Sequence, residues 1–243
     1  MATPDTGAGR PAGWRPAALV AREKQTATGR TLRFDVPGWP GHLPGQHVDV
    51  RLTADDGYQA VRSYSLASPA HGTAVELGIQ SVPGGEVSPY LADDLPVGAE
   101  IEVKGPLGGW FVWNGSSDGS LLLLAGGSGI VPLMAMLRAR RDTRYDSPCV
   151  LLYSVRDPQE IWYADELHGA EPFLTVRVLY TRRAPAGAAR PAGRITAADL
   201  QGLPIPADSR CYVCGPTGFV EHSADLLRAA GHPADHIRTE RFG

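Results

Sequence analysis

At 243 residues the chain exceeds the usual single-domain size and points to two domains of roughly 110–120 residues each. With 43% hydrophobic and 20% charged residues it can bury an ordinary core, and 29 Gly with 21 Pro make it turn-rich without reaching low complexity. A formal net charge of −3 leaves no basic footprint, which argues against a nucleic-acid partner.

Residues 1–13 are Pro-, Gly- and Ala-rich with no apolar run, and read as a disordered leader. From 14 to about 115 the grammar is that of short strands, predicted at 17–24, 31–36, 47–52, 62–66, 75–81 and 101–104. Turn pairs such as Pro37-Gly38, Asp56-Gly57 and Pro83-Gly84 separate them, and this spacing predicts an antiparallel β-barrel. A short helix is predicted at 88–93, with Ser88 as its N-cap and Pro89 in its first turn. From 120 to 243 strand and helix alternate. Strands are predicted at 121–125, 149–154, 174–180, 210–214 and 236–242. Helices are predicted at 132–141, 162–167 and from Gly215-Pro216 to Ala230, closed by Gly231, and Thr196 with Asp199 reads as a capping box. This half is therefore a parallel-sheet α/β domain of the nucleotide-binding kind. The apolar run 121–124 is far shorter than the ~20 residues of a membrane span, so a cytoplasmic protein is expected.

Cys149, Cys211 and Cys214 are too few for a disulfide framework or a four-thiolate cluster. Cys211 and Cys214 have redox-pair spacing, but residues three apart on a strand point to opposite faces, which disfavours a dithiol. No metal site is expected.

Four stretches carry candidate chemistry. In Arg62-Ser63-Tyr64-Ser65 strand alternation puts Arg62 and Tyr64 on one face, a guanidinium for a phosphate beside an aromatic plane. The bland alternative is a half-exposed barrel strand. Gly84-Gly85-Glu86-Val87-Ser88 leads into a helix and offers free amides to a phosphate, or is a plain turn before a capped helix. A buried strand running into Gly126-Gly127-Ser128-Gly129-Ile130-Val131-Pro132 suits a dinucleotide pyrophosphate. Cys214-Gly215-Pro216 lies at the carboxyl edge of the sheet, where ligands of such folds bind, or is a small buried Cys before a turn. Glu240 and Phe242 share a face of the last strand, and Phe242 by itself reads as a core plug.

Taken in order, R-x-Y-S, the G-x-x-S-type loop, G-G-S-G-I-x-P, C-G-P and the terminal E-x-F resemble the ferredoxin–NADP reductase superfamily from about Trp14 to Phe242. Pro44-Gly45-Gln46, Lys104-Gly105-Pro106-Leu107-Gly108 and Gly193-Arg194-Ile195 match weaker landmarks of that family. The resemblance implies an FAD-binding β-barrel over 14–115 and an NAD(P)-binding α/β domain over 120–243. It also implies a reductase that takes a hydride from NADPH or NADH onto bound FAD, with FMN the lesser possibility. By the same resemblance Arg62 and Ser63 lie at the flavin phosphate, Tyr64 stacks on the flavin ring and Ser65 sits near its reactive edge. Gly85, Glu86, Val87 and Ser88 wrap the flavin pyrophosphate. Gly127, Ser128, Gly129, Ile130 and Pro132 hold the dinucleotide, and Cys214, Gly215 and Pro216 abut the nicotinamide. Glu240 and Phe242 close the site, Phe242 covering the flavin. Ser65 fits its role only if the strand bends there, because strict alternation turns it away from Tyr64. Gln80 stands where many relatives carry Lys or Arg.

Several single-chain relatives carry a ferredoxin domain beyond the terminal motif, whereas this sequence ends at Gly243, so the expected acceptor is a separate redox protein such as a ferredoxin or an oxygenase component. A reductase of diffusing flavin and a non-catalytic flavin relay subunit are the alternatives. Arg156 and Arg182, with Arg183, follow the second and third parallel strands and suit a ribose 2′-phosphate, favouring NADPH; Asp157 and Asp165 keep NADH open.

Overall fold

The computed structural model describes residues 13–115, 119–143, 146–169 and 171–242. All but the last residue of the expected leader therefore lies outside the described residues.

The first half contains β1 (Arg15–Lys24), β2 (Gly29–Asp35), β3 (His47–Thr53), β4 (Gln59–Ser65), β5 (Ala74–Gln80) and β6 (Glu100–Leu107), antiparallel in the order β4-β3-β6-β1-β2-β5. Alternation decides which side faces in: Val75, Leu77 and Ile79 of β5 are buried while their neighbours are only half-buried. Leu66, one residue beyond β4, bridges Leu77, and the Ala67 N–H donates to Glu76 O at 2.8 Å. The two sheet edges thus meet and the sheet closes as a barrel, leaving no edge exposed there. Ser65 still pairs with His47 of β3, and one residue on Leu66 bonds Gln46 O at 3.0 Å while bridging to Leu77 of β5, so the partner strand changes directly after Ser65.

The predicted 88–93 helix is present over 88–94, widening from its α-helical first residues into a π-helical turn, Tyr90–Asp94, but Ser88 does not cap it. Its Oγ accepts from the Val82 N–H at 3.1 Å and closes the loop ahead of the turn, while Pro89 holds the capping position. The wide i to i+5 closure, Leu95 N–H to Tyr90 O at 2.8 Å, turns Leu91, Ala92 and Leu95 together into the barrel core.

The second half runs β7 (Leu121–Gly126), α1 (Ile130–Arg141), β8 (Cys149–Val155), α2 (Ala164–His168), β9 (Leu174–Tyr180), α3 (Ala197–Leu200), β10 (Arg210–Pro216), α4 (Thr217–Ala229) and β11 (Ile237–Phe242). The strands are parallel in the order β11-β10-β7-β8-β9. Every residue of β7 and β8 is buried, as central parallel strands covered on both faces must be. Cys211 and Cys214 lie in the apolar clusters on opposite faces of the sheet, so they do not form a dithiol pair. The capping box forms, with the Asp199 carboxylate accepting from the Thr196 N–H at 2.8 Å. Gly231 closes α4 at φ +92°.

Helix α1 begins at Ile130, two residues earlier than predicted, and is buried almost all round because it lies between sheet and barrel. Val131 presses on Gly78 of β5, where an added Cβ would stand 2.3 Å from a Val131 methyl. Arg138 pairs with Glu76 of the barrel and Glu166 of α2, and Arg141 bridges Glu166 and Glu171. Trp162 and Tyr163, predicted as helix, precede α2 and dock on the β1–β2 turn instead. The Trp162 ring covers Gly29, and the Tyr163 N–H donates to Gln25 Oε1 at 2.9 Å. On the far side, Tyr212 Oη and Arg238 both donate to Val112 O. Among the described residues no helix is long and apolar enough to cross a membrane.

Candidate active site

Two surfaces approach each other at the seam between the halves: the barrel where the end of β4 pairs with His47, and the carboxyl edge of the parallel sheet at Glu240. Arg62 and Tyr64 lie opposite Val50 and Val48, hence on one face of β4 as alternation requires. Tyr64 packs on the barrel core, and burial pushes its phenol up to about 12, with Arg62 pulling the other way. It therefore stays a neutral ring at any working pH. Arg62 is exposed and approaches Glu86 at 3.5 Å, so its guanidinium meets the Gly85–Ser88 loop. Ser63 points away and donates to Asp49 Oδ1 at 2.7 Å, so its hydroxyl is turned from the Arg62–Tyr64 face. Val87 and Ser88 are buried, the Ser88 hydroxyl accepting from Val82 N–H, and the Gly85 N–H donates to Val82 O at 2.9 Å, so the exposed part of this loop is Gly84, Gly85 and Glu86. Gln80 donates to Thr28 and ties β5 to the β1–β2 turn.

At the sheet edge, β7 turns through a short 3-10 segment, Gly127–Gly129, into α1. The glycines there differ in purpose. Gly127 has φ +54° and open space where a side chain would stand. Gly129 is pressed on the end of β10, where a Cβ would meet Cys214 O at 2.2 Å. Ser128 is half-buried beside the open position, whereas Ile130 and Pro132 are buried in the helix and can contribute only through the backbone or packing. Cys214 is buried; burial, reinforced by the nearby Glu240 carboxylate, pushes its thiol well up and keeps it protonated. Gly215 is buried and Pro216 is exposed opposite Phe242. Phe242 is 38% exposed, so it is not a core plug but a ring facing outward at the strand's carboxyl end.

Glu240 pairs in register with Cys214, and its Oε1 stands 3.9 Å from Nδ1 of His47, the residue opposite Ser65 on the barrel. Its Oε2 is buried without a hydrogen-bond partner among the described residues, and burial raises the carboxyl to about 7. Burial lowers the His47 imidazole, with Asp49 acting the other way. Two groups that both favour the neutral form thus face each other across the seam. The sequence reading did not single out His47; its one signal was its place directly after Pro44-Gly45-Gln46. Gln46 donates to Gly108 O at 2.8 Å and so joins two of the weaker family landmarks around this histidine.

At the other end of the edge, the Arg182 and Arg183 N–H groups both donate to Arg156 O, at 2.9 and 3.0 Å. Arg156 and Arg182 are exposed there, while Arg183 pairs with Asp157 at 2.9 Å. Asp157 also caps the following turn, so its carboxylate is engaged; Asp165 is exposed on α2.

Two family models match, the oxidoreductase FAD-binding domain over residues 16–112 and the oxidoreductase NAD-binding domain over 123–225. The ferredoxin–NAD(P)(+) reductase component of the naphthalene 1,2-dioxygenase/salicylate 5-hydroxylase systems of a Ralstonia species is 32% identical over 92% of this chain and 67% of its own length. The chain belongs to the ferredoxin–NADP reductase superfamily. A flavohemoprotein of Chromobacterium violaceum is 31% identical over 95% of this reductase-family chain and 61% of its own length. The solved ferredoxin reductase in carbazole 1,9a-dioxygenase superposes with a TM-score of 0.81 at 26% identity, covering 96% of this chain and 70% of that one. The chain thus spans about two thirds or less of the curated relatives it matches. The residues fit the groups these domains bind. The chain offers an arginine beside the Gly85–Ser88 loop, an outward aromatic ring at the end of β11, an open glycine corner after β7 and a buried carboxyl on β11 without a hydrogen-bond partner among the described residues.

Proposed function

We propose that this protein is a cytoplasmic NAD(P)H-dependent flavoprotein reductase that passes electrons through bound FAD to a separate redox protein, a ferredoxin or an oxygenase component. The observation that carries this reading is the contact of His47 with Glu240, which sets the β4 end carrying Ser65 against the β10 edge carrying Cys214. Bound FAD supplies two-electron acceptance from the nicotinamide and one-electron release to the acceptor. The chain's own part is alignment and exclusion of water. Arg62 neutralises phosphate, Tyr64 fixes the plane of the ring, and Gly127 with Ser128 leaves room for the second dinucleotide. Cys214, uncharged and buried, gives the nicotinamide an apolar floor, and Phe242 closes the opposite side. Glu240 holds a proton at its carboxyl next to His47.

Anaerobic addition of NADPH or NADH to the purified protein tests this, with bleaching of the bound flavin as the expected result. Failure to bleach favours a non-catalytic relay, and a protein that reduces added flavin but retains none favours a reductase of diffusing flavin.

Arg62→Ala and Tyr64→Ala are both expected to lower flavin retention on gel filtration. For Arg62 the loss is a charge-assisted hydrogen bond of about 1.5–3 kcal/mol, and for Tyr64 a stacking face. Retention equal to wild type in both variants would make β4 merely barrel wall.

NADPH is the proposed donor. Arg156 and Arg182 come together at the ends of β8 and β9 and are exposed, whereas the nearby Asp157 carboxylate is already paired with Arg183. Comparing kcat/KM for the two nucleotides should show a preference for NADPH that Arg182→Ala erases while leaving NADH use nearly unchanged. A preference for NADH in the wild type contradicts it.

A further inference from the structure

Helix α1 starts at the phosphate corner and is seated on the outer face of the barrel at two points. Val131, two residues after Gly129, presses on Gly78 of β5. Seven residues further along the helix, and so on the same side of it, Arg138 pairs with Glu76, which shares a face of β5 with Gly78. We propose that Arg138 is a positioning residue for flavin reduction: through Glu76 and Ala67 it sets the end of β4 that carries Tyr64 and Ser65 against the nucleotide edge of the parallel sheet. The proposal rests on the flavoprotein reading above and adds a residue that belongs to neither cofactor site.

One guanidinium joins three elements. Its Nε donates to Glu166 Oε2 of α2 at 3.0 Å, and Nη2 bonds the other oxygen of the same carboxylate, a two-point grip that fixes the plane of the group. Nη1 bonds Glu76 and donates to Ala67 O at 3.0 Å. The Tyr163 ring lies 5.0 Å from the guanidinium carbon and closes the pocket. Ala67 is two residues beyond Ser65. The barrel holds this stretch by its backbone, with Leu66 N–H donating to Gln46 O at 3.0 Å and Ala67 N–H to Glu76 O at 2.8 Å. Ala67 itself packs in the apolar cluster of the second half. Arg138 therefore grips, from the nucleotide half, the same short stretch that continues from the flavin strand.

Removing the cation would leave the Glu76 and Glu166 carboxylates facing each other with nothing between them, and their repulsion would open the seam at Ala67. The halves would stay joined. Trp162 still covers Gly29, Tyr163 still bonds Gln25, and Tyr212 and Arg238 still bond Val112 O. The expected result is a small shift of the Cys214 edge relative to Ser65, with each half intact. Rates of transfer between two aligned rings fall on the order of 100-fold for a displacement of about 1 Å, even when the altered residue is remote from the reacting atoms.

Stopped-flow reduction of the bound flavin at rising NADPH, and again at rising NADH, separates the limiting rate from nucleotide affinity. Arg138→Met should lower the limiting rate about 100-fold, with half-saturation within about threefold of wild type and flavin content unchanged. Arg138→Lys, which keeps the charge without the planar fork, should recover part of the loss. Reduction of the flavin by dithionite, which needs no nucleotide, should be the same in every variant. A matched pair covers the case in which Arg138→Met does not fold. Glu76→Ala breaks the hold on the barrel and should slow reduction about tenfold, whereas Glu166→Ala breaks a pair within the second half and should cost no more than about threefold. Rates within about twofold of wild type for Arg138→Met or Glu76→Ala, a Glu166→Ala protein as slow as Glu76→Ala, or a loss that appears only as released flavin would each overturn the positioning role while the flavoprotein reading stands. A wild type whose flavin neither nucleotide bleaches overturns both.

Discussion

Gly129→Ala is expected to slow reduction of the bound flavin by NADPH or NADH about 100-fold or more, with flavin content unchanged. Gly129 has φ −62°, so alanine meets no backbone strain. The obstacle is steric. The added methyl would stand 2.2 Å from Cys214 O, 2.5 Å from Cys214 C and 2.7 Å from Gly215 N, all backbone atoms of a strand paired on both sides. Relief requires the Gly127–Gly129 segment to move off the β10 edge, separating the phosphate corner from the nicotinamide floor. A displacement of about 1 Å at such a junction costs on the order of 100-fold in rate, and overpacking adds a stability loss of about 1–3 kcal/mol. Gly127→Ala should act differently: it meets no protein atom, but it strains the backbone at φ +54° and enters the space left for the dinucleotide, so its loss should lie in nucleotide affinity and be overcome at high nucleotide concentration, whereas that of Gly129→Ala should not. Stopped-flow bleaching of the flavin band reads both variants. A Gly129→Ala rate within twofold of wild type would show that the two glycine motifs do not act as one site.

The contrast between these glycines marks what the sequence could and could not tell. The strand–glycine–helix order predicted a phosphate corner, but not that Gly129 serves contact with Cys214, 85 positions on, because periodicity carries no information on tertiary neighbours. The barrel strands were legible because alternation of burial follows alternation of residue type, as in β5. The parallel strands were legible from their unbroken apolar runs. Ser88 went wrong because a Ser-Pro pair before a helix signals a cap, whereas here the hydroxyl serves a loop amide six residues back. Trp162 and Tyr163 went wrong because tertiary docking on the β1–β2 turn overrode the local helical pattern, holding Tyr163 at φ +54°. His47 was missed for the same reason: nothing in a barrel strand announces that its side chain faces a carboxyl from another domain.

That carboxyl sets the last expectation: Glu240→Gln should stabilise the protein at pH 8 and have almost no effect at pH 4. Burial raises the Glu240 carboxyl from 4.5 to about 7. Below 4.5 both folded and unfolded chains carry the proton and the site costs nothing. Between 4.5 and 7 the unfolded chain releases it while the folded chain keeps it, so stability falls as pH rises, and the loss is complete above 7. Its ceiling is about 3 kcal/mol, from a shift of that size at 1.36 kcal/mol per pKa unit. His47 acts with the opposite sign. Its imidazole is lowered by burial, so its cost is greatest in acid and disappears as pH passes its unfolded value of 6.5. The wild-type profile alone therefore mixes two trends, and only the difference between Glu240→Gln and wild type isolates the carboxyl. Denaturant unfolding of both proteins at intervals from pH 4 to 8 gives that difference. It should grow through the window and level off above pH 7. A flat difference would mean that Glu240 is already ionised in the fold, and with it would go the role assigned to this residue as the proton holder beside Cys214.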